Sequence, residues 1–138
     1  MFNLNAYLTF NGNCAEAFHF YERVLGGKIN LLLSFSASPM ADQIPPGHGD
    51  KIMHASMTID GHALMGSDNM PGQPYEGMKG FSLSLNYPTV DRAEATFTAL
   101  SQGGTIRMPL QATFWAAAFG MLTDRYGTPW MVNCEKPA

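Results

Sequence analysis

Residues 4–27 read LNAYLTFNGNCAEAFHFYERVLGG, and residues 81–104 read FSLSLNYPTVDRAEATFTALSQGG. Each stretch opens with strict alternation, the period of a strand that buries one face. In the first, Leu4, Ala6, Leu8 and Phe10 fall on one side, and Asn5, Tyr7 and Thr9 on the other. In the second, Phe81, Leu83, Leu85 and Tyr87 oppose Ser82, Ser84 and Asn86. Both stretches then change to helical spacing. Asn13 and Glu16 stand three apart, the spacing of a capping box, with Phe18, Tyr21 and Leu25 on the apolar side. Asp91 and Glu94 repeat that spacing, with Ala93, Phe97 and Leu100 as the apolar side. Gly26-Gly27 and Gly103-Gly104 supply the stops.

Downstream of each helix come three strand-like runs, 28–36, 52–59 and 62–68 in the first half and 104–110, 116–123 and 129–134 in the second. Ile59-Asp60-Gly61-His62 carries the Asp-Gly hairpin signal, and Arg125-Tyr126-Gly127-Thr128 is its counterpart. Gly61 and Gly127 are 66 apart (127 − 61), as are the methionines four residues beyond them, Met65 and Met131 (131 − 65). The chain therefore reads as one α+β domain over 1–138, built from two βαβββ modules at approximately 1–70 and 80–138. Segments 37–51 and 69–79, rich in Pro, Gly and Ser, are loops of the length that carries function or flanks an interface.

Composition narrows the classes. The 138 residues are 46% hydrophobic and 14% charged, enough for a core and too apolar for disorder. No run approaches the ~18 apolar residues of a membrane span, and MFNLNAYLTFNGN has no secretory leader character, so a cytoplasmic location without a membrane partner is expected. A net charge of −3 gives nucleic acid no electrostatic footing. Two cysteines, Cys14 and Cys134, make no disulfide framework. They are two reduced, buried thiols, or else Cys14 is a reactive group whose thiolate a helix N-terminus favours.

Three stretches, YLTFNGNCAEAFHFYERVLGG (7–27), MHASMTIDGHALMGSD (53–68) and FWAAAFGMLTDRYGTPWMVN (114–133), resemble the vicinal-oxygen-chelate superfamily of glyoxalase I, bleomycin- and fosfomycin-resistance proteins and extradiol dioxygenases. Within it the chain is similar to the PhnB-like branch. The resemblance implies mixed, curled sheets enclosing a central pocket, with both helices outside. It also implies metal-ligand positions on the first and last strand of each module. Carried onto this chain, those positions are Asn5, Met65, Ser82 and Met131. A shift of two residues offers Tyr7, Ser84 or Asn133 instead. Neither set supplies the carboxylates and imidazoles that divalent ions take, so no metal and no other cofactor is expected. Members of the branch have been labelled methyltransferase-like, yet no G-x-G-x-x-G loop for S-adenosylmethionine and no nucleotide P-loop occurs.

Strand parity lines the implied pocket with Asn5, Tyr7, Thr9, Ser82, Ser84 and Asn86, joined by Met65, Ser67 and Met131. His54, Ser56 and Thr58 alternate with Ala55, Met57 and Ile59 and share that face. The lining is uncharged and hydrogen-bonding, suited to a small-molecule partner, or else side chains fill the space. His54 is a candidate general acid or base, or an imidazole satisfied by a backbone carbonyl. Asp68 either orients His54 or caps the following loop. Trp115, with Phe119, is a wall for a ligand or a plug in the core. His19, His48 and His62 read as surface. Two functions follow: a PhnB-like protein acting on a small molecule without the usual metal, or a non-catalytic binding protein that sequesters a drug or metabolite. The low charge content, against a typical ~25%, and Met40, Met70, Tyr75 and Met78 in loops point to a homodimer, unless the loops fold back on the barrel.

Overall fold

Alternation turns into strand at Ala6. In the computed structural model, which describes residues 1–137, the first compact unit is Met1–Gly77. It runs β1 (Ala6–Phe10), α1 (Cys14–Leu25), β2 (Lys28–Ser34), β3 (Ile52–Ile59) and β4 (His62–Asp68), with one 3-10 turn at Ala41–Gln43. The second unit begins at Met78 and runs β5 (Leu83–Tyr87), α2 (Val90–Ser101), β6 (Thr105–Gln111), β7 (Ala116–Thr123) and β8 (Pro129–Glu135). The strand orders are β1-β4-β3-β2 and β5-β8-β7-β6. In each sheet the first strand runs parallel to the last, and the other pairings are antiparallel. The fold is thus α+β, two mixed four-stranded sheets of one topology, as the repeat predicts.

Parity decides which face each helix covers. In the first unit Leu8, Phe10, Ala55, Met57 and Leu64 are buried, together with Ala17, Phe18 and Tyr21 of α1. Phe10 and Phe18 meet edge to face at 6.2 Å. Gly66 lets the helix close on β4, because a Cβ there would stand 3.1 Å from the Phe18 ring and 2.9 Å from the Leu8 carbonyl oxygen. In the second unit Ala118, Leu122, Trp130 and Val132 are buried, with Ala93, Phe97 and Leu100 of α2. The Asp60-Gly61 turn has φ of 47° and 81° at its two residues, the left-handed pair a two-residue hairpin needs. Its counterpart is built differently: buried Asp124 accepts from the Tyr126 and Thr128 amides and from the Trp130 indole.

Several element ends differ from expectation. Asn5 and Ser82 precede their strands, and β2 stops at Ser34 after two register shifts. The Asn13 side chain makes no cap, while Gly26 closes α1 in the left-handed region as expected. Helix α2 starts earlier than Asp91: Thr89 is its cap, and its hydroxyl accepts from the Arg92 amide at 3.2 Å. It ends at Ser101, two residues before the Gly-Gly pair, because Gln102 is already extended.

Candidate functional site

The face of the first sheet away from α1 carries the polar alternates. Tyr7 on β1 lies beside Met65 on β4, and Met65 beside Ser56 on β3. Thr9 pairs with Ser67 one step along, and His54 sits on β3 opposite Leu33. Across this face the Tyr7 Oη and His54 Nδ1 are 3.0 Å apart. Their rings stack with centroids at 5.6 Å and planes at 25°. Tyr7 is exposed and His54 half-buried. His54 is thus partnered by a phenol and not by a backbone carbonyl. Either Tyr7 donates and Nε2 keeps the ring proton, or Nδ1–H donates to the phenol and Nε2 presents a lone pair. Both arrangements commit Nδ1 and leave Nε2 for a ligand. The signal was present in the sequence as matched parity at positions 7 and 54.

Asp68 shares parity with Leu64 and Gly66 and is buried on the opposite face. One carboxylate oxygen accepts from the Cys14 amide at 2.9 Å and the other from the Ile52 amide at 2.8 Å. It therefore neither orients His54 nor caps the loop after β4; it caps α1 and fixes the start of β3. A carboxylate at a helix N-terminus meets both the free amide and the positive dipole end. Burial, and then the Asp68 charge, push the Cys14 thiol far above its ordinary range. Cys14 and Cys134 are both free, buried thiols, the first of the two readings, and the raised Cys14 thiol speaks against the thiolate alternative. His19, His48 and His62 are exposed, as expected.

The second sheet has an equivalent polar face. Ser84 pairs with Met131, which pairs with Met121. Asn86 pairs with Asn133, which pairs with Phe119. The Asn133 amide donates to Asn86 Oδ1 at 3.0 Å. Phe114, Trp115 and Phe119 form a run of edge-to-face contacts at 4.7 and 5.4 Å. Trp115 is 49% exposed, which rules out the core-plug alternative. Two hollows lie apart from both polar faces. One of about 460 Å³ runs between α2 and β6, over Phe97 and Leu110. The other, about 520 Å³, is formed by Phe2–Asn5 and Gly61–Ala63 and takes in Asn5.

A model of the glyoxalase/bleomycin resistance protein/dioxygenase superfamily matches residues 3–132. The chain belongs to that superfamily. It is 38% identical to protein YjdN of Escherichia coli over 141 residues, covering 96% of this chain and 95% of YjdN. Protein PA1353 from Pseudomonas aeruginosa superposes with a TM-score of 0.91 at 51% identity, over 99% of this chain and 100% of that one. The PhnB protein from Bacillus cereus follows at 0.82 and 26%, over 96% and 99%. No helix among the described residues is long and apolar enough to cross a membrane.

The superfamily's metal chemistry can be tested against the donors here. Among the described residues no three His, Cys, Asp or Glu side chains come together. Beside Met65 stands Tyr7 rather than Asn5, and beside Met131 stands Ser84 rather than Ser82. Thioethers, a phenol and a hydroxyl do not fit a hard divalent ion, which takes carboxylate, carbonyl or imidazole donors.

Proposed function

We propose that this superfamily member acts on an uncharged small molecule at the polar face of its first sheet, with His54 moving a proton and no divalent ion taking part. The observation that carries this reading is the 3.0 Å contact between Tyr7 and His54 on an open face. The phenol fixes the imidazole's plane and occupies Nδ1, as an outer partner does for a working histidine. His54 Nε2 then exchanges a proton with a ligand oxygen or carbon, and Ser56 and Thr9 are hydrogen-bonding groups on the same face. Met65 supplies a soft apolar surface between them.

A second reading has its own support. Ser84, Asn86, Phe119, Met121, Met131 and Asn133 on the second polar face carry no formal charge, as suits a protein that holds a ligand and leaves it unchanged.

One series separates the two. Thermal shift of purified protein is measured with Ni, Zn, Mn, Fe and Mg, and then with a panel of uncharged metabolites and drugs. No metal should raise the transition. A ligand at a hundredfold excess over its Kd should add about 2.7 kcal/mol. His54→Gln should then cut turnover of that ligand by about a hundredfold with little change in binding. Turnover that survives His54→Gln refutes the proton role, and a ligand that binds without being turned over establishes the sequestering protein. A stoichiometric, stabilising metal overturns both.

A further inference from the structure

Helices α1 and α2 both have 12 residues, so their positions correspond one to one. Their side chains do not. Cys14, Phe18 and Tyr21 of α1 are buried. The same places in α2 hold Val90, Glu94 and Phe97, of which Phe97 alone is buried; Val90 is 40% exposed and Glu94 is exposed. Glu22 of α1 reaches over to accept from the Ile29 amide at 2.7 Å, which ties that helix to β2. Thr98 holds the corresponding place in α2, and its side chain is too short for that reach. Where α1 is tied down to its edge strand, α2 leaves the hollow of about 460 Å³ between itself and β6.

A bulge builds the opposite wall. From Met108 to Gln111 strand β6 advances three residues, while β7 advances two, from Met121 to Phe119. The extra residue falls at Pro109-Leu110, on an edge strand where a proline has no ladder amide to lose. Leu110 is carried over Gly120: a Cβ there would stand 2.9 Å from the Leu110 Cα and 2.7 Å from the Phe97 ring. Phe97, Leu110 and Ala118 thus make an apolar floor. The volume lies within the range of small-molecule sites, roughly 300–1,000 Å³.

The helix side of the hollow is polar. Glu94, Thr98 and Ser101 share one face of α2 and all line it. The Ser101 hydroxyl donates to the Thr98 carbonyl at 2.9 Å, so it offers a ligand a lone pair. Glu94 also offers acceptors only, and is the one charged side chain lining the hollow among the described residues. The arginines of this unit are placed elsewhere: Arg92 over the Tyr87 ring, Arg125 on the Gln102 carbonyl, and Arg107 exposed and outside the lining. We infer that the cleft between α2 and β6 binds a lipophilic amine in its ammonium form. Its apolar body lies over Phe97, Leu110 and Ala118, and its N–H groups donate to Glu94 and Ser101. The negative charge and the shortage of donors disfavour an apolar acid. The cleft belongs to the second unit, lies off its polar face and does not depend on the proton role of His54.

The test is a methyl ¹H–¹³C NMR titration of the full chain with 3-phenylpropylamine, 3-phenylpropanol and 3-phenylpropanoate, one skeleton carrying a positive, a zero and a negative charge. The amine should shift the Val90, Leu110 and Ala117 methyls, while those of Leu8, buried in the first unit, stay in place as a control. It should bind about threefold tighter than the alcohol, with the acid weakest. Salt at about 0.5 M should remove most of that preference. Glu94→Gln, at an exposed helix position, should bring the amine down to the alcohol and leave the alcohol unchanged. Thr98→Trp should fill the cleft and weaken all three by about fivefold or more, with the circular dichroism spectrum retained. The inference is overturned by the absence of any shift up to roughly 30 mM, the range in which a ligand of about ten heavy atoms binds. It is equally overturned by an alcohol or acid that binds as tightly as the amine, by a preference that survives Glu94→Gln, or by amine binding that survives Thr98→Trp. A Thr98→Trp protein whose light-scattering mass falls by half overturns it too, since the cleft is then covered by a second copy of this chain.

Discussion

Asp68 joins parts of the chain that lie far apart: its partners, the Cys14 and Ile52 amides, are 54 and 16 residues away. Asp68→Ala leaves two buried N–H groups without an acceptor, at about 1–3 kcal/mol each. Urea unfolding should show a loss of about 2–5 kcal/mol, while Asp68→Asn, which keeps one carbonyl oxygen, should lose about half as much. Cys14 makes a separate prediction. The folded state holds its proton above the ordinary thiol value of about 9. Its stabilising contribution is complete below that pH and is lost as pH rises beyond it, because the unfolded chain then releases a proton the folded chain keeps. The slope is up to about 1.36 kcal/mol per pH unit. Cys14→Ala should flatten the fall in urea midpoint above pH 9, and native Cys14 should resist alkylation until the protein unfolds. The residue scale also shows the limit of reading from sequence. Asp68 stood out in the GSD run, but its role depends on two amides that only the tertiary fold brings to it. The Tyr7–His54 pair was foreshadowed by parity, while its closeness depends on β4 lying between β1 and β3.

Elements were more legible than residues, because they are set by periodicity within a few turns of chain. The β3, β4 and β7 boundaries coincide with the runs read from alternation. Ends were harder, since they depend on partners. Residues 1–5 extend the alternating pattern but leave β4, so Leu4 is 92% exposed and Asn5 lies in a hollow instead of a row. At α2, Thr89 and Asp91 are both good caps two residues apart, and only the observed amide geometry chooses Thr89. Close packing of element on element gives a prediction here. Gly66→Ala forces a methyl against the Leu8 carbonyl and the Phe10 and Phe18 rings. Strain of that kind costs about 1–3 kcal/mol, which calorimetry should record as a lower Tm with the secondary structure retained by circular dichroism.

At the scale of the whole molecule, the apolar groups left on the surface bear on assembly. Phe2, Leu4, Met70, Phe81 and Ile106 are exposed. The fold-back alternative holds at one place, where the Tyr75 hydroxyl donates to the Thr9 carbonyl at 3.2 Å, and Met40 and Met78 are half-buried. The remaining surface is expected to pair two copies, so light scattering at low micromolar concentration should give about twice the 15.1 kDa chain mass, and a value near one chain refutes it. The strand order has a further consequence, for the birth of the protein. In both sheets the strand made last sits inside, between the first and the third. On the ribosome β1 must therefore wait, edge unpaired, until β4 has emerged, and β5 must wait for β8. The β2–β3 and β6–β7 ladders can form earlier, but each half joins its first strand to the rest only when its last strand arrives, so the nascent chain carries open edges on β1 and β3, and then on β5 and β7, for a chaperone to guard.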